Sequence, residues 1–237
     1  MEIHKPKPVH GWGGFLGEVG IIVLGVLIAL GAEQVVRSIE WSHKIHAAEE
    51  AMLTELSTDD GPQAYARRGM DACVHKALDG IQQAVERGAP RAEVVANIER
   101  YAVPFWTWDE FAYRAMIASD LTAHIPHDRL NQWTMAYATV PALDRLNGKE
   151  FDDSANLTAL RRNGGPLSDA ERDRLLLAVE VARHDEAAIM ASLRVMIPAM
   201  EKTGARLNPE GEAIVRKYIT LNPGCSATPA KAASASG

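Results

Sequence analysis

The run VGIIVLGVLIALGA, Val19 to Ala32, holds 14 residues without a charge, with Glu18 before it and Glu33 after it. A helix of that length rises only about 21 Å, and a run of this size suits a buried core helix or the apolar part of a signal peptide equally well. The flanks change the arithmetic. Trp12, Phe15 and Leu16 extend the apolar character upstream, and Val35 and Val36 extend it downstream. Trp12–Val36 is then 25 residues, enough to cross about 30 Å of hydrocarbon with some tilt. Glu18 falls near one interface on this count, where a carboxylate costs less than at the bilayer centre. Trp12 and Trp41 bracket the segment as interfacial aromatics do.

Two other readings compete with an anchor. "ALG" at Ala29–Gly31 is a loose signal-peptidase site, and Lys5 and Lys7 form a thin basic leader before it. A soluble core helix is the third. The helical pattern favours the anchor, because apolar positions run straight through the supposed cut: Ala32, Val35, Val36 and Ile39, then Ile45, Ala48, Met52 and Leu56. Lys and Arg are balanced on the two sides, with Lys5 and Lys7 before the span and Arg37 and Lys44 after it. The free amino terminus and the acidic group Glu33, Glu40, Glu49 and Glu50 tip the orientation. They place the N-terminus in the cytoplasm, the span in a bacterial inner membrane and the bulk of the chain in the periplasm.

Small residues line two faces of the span. Gly13, Gly17 and Gly20 share one with Gly31; Gly25 and Ala29 share another with Gly14, Ala32 and Glu18. Small-xxx-small spacing lets a second helix approach closely, with Glu18 bonding across the interface or reaching the headgroups. Glycine is also simply common in membrane helices. The expected partners are the lipid bilayer and, through these faces, a second copy or another membrane protein.

Downstream, Ala, Leu, Glu and Arg dominate and no alternating Val/Ile/Thr run appears, so the expected fold is all-α: a transmembrane helix continuing into a soluble helical bundle. The boundaries are a tail over 1–11, the anchor over 12–36, the bundle over 37–221 and an Ala/Ser/Pro-rich tail over 222–237. The first helix should end at "STDDGP" (Ser57–Pro62), and a second should follow over Gln63–Arg87. A third starts behind Pro90. Thr107 and Glu110 read as a capping box for a helix to Ser119. His127–Leu146 is helical with a bend or break at Pro141, and a short helix covers Ser154–Arg162. After the "NGG" break, Ser168 and Glu171 cap the longest soluble helix, Asp169–Thr203, which is expected to pack against the continuation of the anchor. A last helix runs over Pro209–Ile219.

The net charge of −6 and the absence of a basic stripe argue against nucleic acid as a partner. No Gly-rich phosphate loop, G-x-S-x-G elbow or H-E-x-x-H motif occurs. No cofactor is expected, and a non-enzymatic role in protein–protein contact is favoured. Three clusters keep other chemistry open. Glu40-x-x-His43-x-x-His46 offers three metal-ligating side chains just past the span, against the plainer role of a solvated, charge-laced helix. Six of the 14 aromatic residues lie within Tyr101–Tyr113. Tyr101, Trp106, Trp108 and Tyr113 either line a ligand pocket or form an aromatic core facing Trp133 and Tyr137. Cys73 and Cys225 either bridge, if the domain is exported, or remain two thiols.

The opening "EIHKPKPVHGW…FLGEVGIIVLGVLIALGAEQVV" resembles a group of uncharacterised bacterial single-pass membrane proteins that share a basic, Pro-containing leader and an "E-x-GIIVLGVLIALGAEQ" anchor. The likeness covers about residues 1–56. "YRAMIASDLTAHIPHDRLNQWTMAYA" (Tyr113–Ala138) is similar to an "L-x-x-SG-x-L-x-x-I" segment in related small membrane proteins, with Asp120 where glycine is usual. The resemblance implies a helical extracytoplasmic domain behind one membrane span. It carries over no activity, cofactor or catalytic residue.

Overall fold

Helix α1 (Trp12–Glu55) follows directly from the unbroken apolar pattern, passing Ala29–Gly31 without interruption. The computed structural model describes residues 11–159 and 165–225. The Lys5–Lys7 leader, Arg162, the first two residues of the "NGG" break and the 226–237 part of the tail lie outside the described residues. The chain forms two units, 1–47 and 48–237, so the boundary falls well beyond Val36. Among the described residues the fold is all-α, with no strand.

Among its described residues the first unit is helix from Trp12 onward. Its most apolar 18-residue window has a mean hydropathy of 2.4 with none of it buried, and Ile21 is 74% exposed. This is one helix long and apolar enough to cross a membrane. Glu33 and Arg37 pair at 2.5 Å across one turn, and Lys44 lies 4.8 Å from the Trp41 ring.

The second unit opens with the end of α1, which continues without a break through a π-helical turn (Leu56–Asp60) into α2 (Gly61–Glu86). Expecting a stop at "STDDGP" missed how a helix absorbs a proline. Pro62 has no N–H to give, and the turn widens so that the Gly61 N–H donates to Leu56 O, five residues back. A Cβ on Gly61 would stand 2.1 Å from that oxygen, so only glycine fits. Short α3 (Arg91–Ile98) packs on α2. An irregular stretch then runs to Glu110, where α4 (Phe111–Ile117) starts and a 3₁₀ turn (Asp120–Ala123) follows. The Thr107–Glu110 capping box does not form: Glu110 itself is the N-cap, with no side-chain cap bond.

Pro141 separates α5 (His127–Tyr137) from α6 (Val140–Ala159), sitting in the first turn of α6 where a missing N–H costs nothing. Helix α6 absorbs the separate short helix expected from Ser154. Helix α7 (Asp169–Thr203) begins on the Ser168–Glu171 capping box and ends on Gly204 at φ 94°. Helix α8 (Pro209–Leu221) is capped by Asn208. Helix α7 lies along α2, α5 and α6. Its expected partner was the end of α1, but that segment is tied to α5 instead. Glu49 accepts from Arg129 at 2.6 Å and from the Trp133 indole at 3.2 Å, and Tyr137 OH donates to Met52 O at 3.2 Å. Met70, Leu78, Leu143, Leu157, Leu175, Leu193 and Met196 fill the core.

Candidate functional site

The apolar stripes of three helices are each interrupted by charge at a core position. On α7 the series Leu175, Val179, Ala182, Ile189 and Leu193 is interrupted by Glu186; on α2 Arg67 lies between Ala64 and Met70; on α6 Glu150 lies between Leu143 and Leu157. Burying one charge is costly, so helices that share such positions must bring opposite charges together. Arg67, 1% exposed, donates through Nη2 to both Glu150 Oε1 and Glu186 Oε2.

One guanidinium cannot neutralise two carboxylates. Burial, with the charges of Glu150 and Asp71 added, pushes Glu186 up to about 8 against the pull of Arg67. A proton on Glu186 at neutral pH leaves the triad with no net charge. Burial also raises Glu150, with Arg67 opposing it. Lys149 closes the rim, donating to buried Asp185 at 2.8 Å and to Asp153 at 2.6 Å.

The irregular stretch 99–110 roofs this cluster. The Tyr101 hydroxyl is buried among Glu150, Arg67 and Glu186, and burial first, then the Glu150 charge, drives its pKa upward. Polar side chains from α6, the π turn and the segment past α8 hold the stretch in place. Asn147 of α6 accepts from Trp106 N at 2.8 Å and donates to Pro104 O at 2.9 Å. Asp144 accepts from Trp108 N at 3.3 Å, and just past the stretch, in the first turn of α4, Glu55 of α1 accepts from Ala112 N at 2.9 Å. Asn222, past α8, donates to Ala102 O at 2.8 Å. In the π turn, Asp60 accepts from Asp109 N at 3.4 Å.

Asp60 is 1% exposed. Burial, reinforced by the charges of Glu55, Asp109 and Asp59, raises it to about 8 despite the Asp109 hydrogen bond. Burial thus favours the protonated, neutral form of both Asp60 and Glu186.

Of the two readings of the aromatic cluster, pocket lining or packed core, the contacts are those of a packed core. Trp106 and Trp108, 6% and 5% exposed, meet edge to face at 6.3 Å. Trp106 also meets Tyr218 of α8 at 5.0 Å. Tyr113 stacks on Tyr137 at 4.9 Å. A groove of about 470 Å³ lies elsewhere, between α6 and α7, and Asp153, Asn156, Arg174 and Leu177 are among its walls.

Glu40, His43 and His46 are not brought together either. Among the described residues no group of three or more His, Cys, Asp or Glu is placed to hold a metal. Steps of three along a helix turn each side chain about 60° from the last and lift His46 roughly 9 Å above Glu40, too spread for one ion. Gly13, Gly17, Gly20 and Gly25 remain open, with nothing within 4 Å of where a Cβ would stand, and Glu18 and Ala29 are exposed beside them. Cys73 and Cys225 are joined in a disulfide, with Cα atoms 5.0 Å apart. The ionic triad escaped the sequence reading, although charges on an apolar helical stripe were the available signal. Known protein families, curated proteins and solved structures were all compared with the chain, and none matches.

Proposed function

We propose that the chain is a single-pass protein of a bacterial inner membrane whose helical second unit lies in the periplasm and works through contacts with other proteins rather than by catalysis. The observation that carries this reading is the apolar helix of the first unit, of mean hydropathy 2.4 with none of that window buried. A core helix of a soluble protein hides such a surface. The unbroken passage of α1 through Ala29–Gly31 supports an uncleaved anchor over a leader, as does the likeness of residues 1–56 to bacterial membrane proteins. The Cys73–Cys225 bond suits an oxidising compartment.

Alkaline carbonate extraction of membranes, followed by intact mass measurement, tests the anchor. Retention in the pellet at the full-length mass is expected. Release into the supernatant, or a mature N-terminus just after Gly31, would overturn it. Affinity capture in mild detergent tests the mode of action, and recovery of the monomer alone would count against contact with partners.

A further inference from the structure

Residues 222–225 form a strap that closes over the roof of the ionic triad. Asn222 is buried, its Nδ2 donating to Ala102 O at 2.8 Å and lying 3.4 Å from Met70 Sδ. Its Oδ1 accepts from Gly224 N at 2.9 Å, and Cys225 N donates back to Asn222 O at 3.0 Å, folding the strap into a tight turn. Gly224 lies so close that a Cβ there would sit 2.8 Å from Arg100 O and 3.2 Å from Cys73 O. The strap therefore rests directly on the backbone of both α2 and the roof. Its end is fastened to α2 by the Cys73–Cys225 disulfide, whose two residues are half-buried. Beneath it, Tyr101, adjacent to Ala102, is buried, and Met70, which Asn222 touches, stands one turn along α2 from Arg67.

We propose that the Cys73–Cys225 bond is a redox latch, opened by a dithiol reductant, that holds Asn222–Cys225 over Tyr101–Ala102 and so governs water access to the Arg67–Glu150–Glu186 triad. In the step, one thiolate of the dithiol attacks a sulfur of the bond, and the other cysteine leaves as a thiolate that takes up a proton. The second thiol of the reductant resolves the mixed disulfide. Two electrons pass to the protein, both cysteines end as thiols, and the dithiol ends as its own disulfide. Freed from α2, the strap loses the covalent hold that keeps Asn222 on Ala102. This use of the bond rests on the periplasmic placement, where the latch forms by oxidation.

The test is amide hydrogen exchange on the full chain in detergent micelles, oxidised and then reduced with dithiothreitol. Reduction should raise exchange over 100–108 by about tenfold or more while the middle of α7 and α5 stay protected. Cys225→Ser should match the reduced protein, and Asn222→Ala should raise exchange over 100–108 with the bond intact. No change over 100–108 on reduction, an equal rise throughout the bundle, or no effect of Asn222→Ala would each overturn the latch. Alkylation of freshly lysed cells separates the compartment from the coupling. Both cysteines trapped as free thiols in every molecule, with no bridged fraction, would overturn the formation of the bond in the periplasm, and with it the latch in the cell, whatever the exchange data show.

Discussion

Replacing Asp60 with asparagine should stabilise the protein, and by more as the pH rises. Asp60 goes from 3.8 in the unfolded chain to about 8 in the fold, so between those values the folded state holds a proton that the unfolded state has released. A raised folded pKa contributes stability that is complete below about 4 and is lost progressively as the pH climbs to about 8. Asparagine keeps the Oδ1 that accepts from Asp109 N and has no proton to lose. At about 1.4 kcal/mol per pH unit, Asp60→Asn should gain up to about 4 kcal/mol at pH 7, about 1.6 kcal/mol at pH 5 and almost nothing near pH 4. The pH 7 figure is an upper bound that corresponds to a rise in Tm on the order of 10 °C. Thermal unfolding of the full chain in mild detergent at pH 5, 6, 7 and 8 reads this directly. A variant destabilised equally at pH 5 and pH 8 would refute the reasoning, because Asp60 would then support the fold as an anion.

Further substitutions follow from the same geometry. Arg67→Met should cost about 3–5 kcal/mol in urea unfolding, since it leaves Glu150 and Glu186 buried without their cation, whereas Glu186→Gln mimics the protonated acid and should stay within about 1 kcal/mol of wild type at pH 7. Asn147→Ala removes the partners of Trp106 N and Pro104 O; a loss of about 1–3 kcal/mol per buried group and a red-shifted tryptophan emission are expected. Cys225→Ser opens a loop with a sequence separation of 152, for which chain entropy gives up to about 5 kcal/mol, seen as a lower urea midpoint than the oxidised protein.

Helical class and most helix ends were legible because they depend on local chemistry. The Ser168–Glu171 box, Asn208 and the Pro141 boundary all act within one turn of themselves. Where the outcome depended on distant partners, local signals misled. Thr107 and Glu110 match a capping box, yet Asp144, Asn147 and Asp60 take the backbone N–H groups of Trp106, Trp108 and Asp109 and hold that backbone out of a helix. "STDDGP" carries every mark of a break, but nothing local measures how well α1 and α2 pack as one helix, and a π turn proved enough. The aromatic cluster was visible as a cluster; whether it lines a pocket or fills a core depends on Tyr218 and Tyr137, brought in from α8 and α5. Arg67, Glu150 and Glu186 each look like an ordinary surface charge until their place on an apolar stripe is counted. Even then, only the packing of α2 on α7 and of α6 on α7 says that they meet.

The placement of the two units across a membrane is tested most directly by protease accessibility of intact cells, spheroplasts and lysed spheroplasts, with one epitope tag at each terminus. The account predicts that the C-terminal tag is lost as soon as the outer barrier is removed, while the N-terminal tag survives on a membrane-bound fragment until lysis. A C-terminal tag protected in spheroplasts and lost only on lysis, or a full-length chain recovered in the soluble fraction, would contradict it.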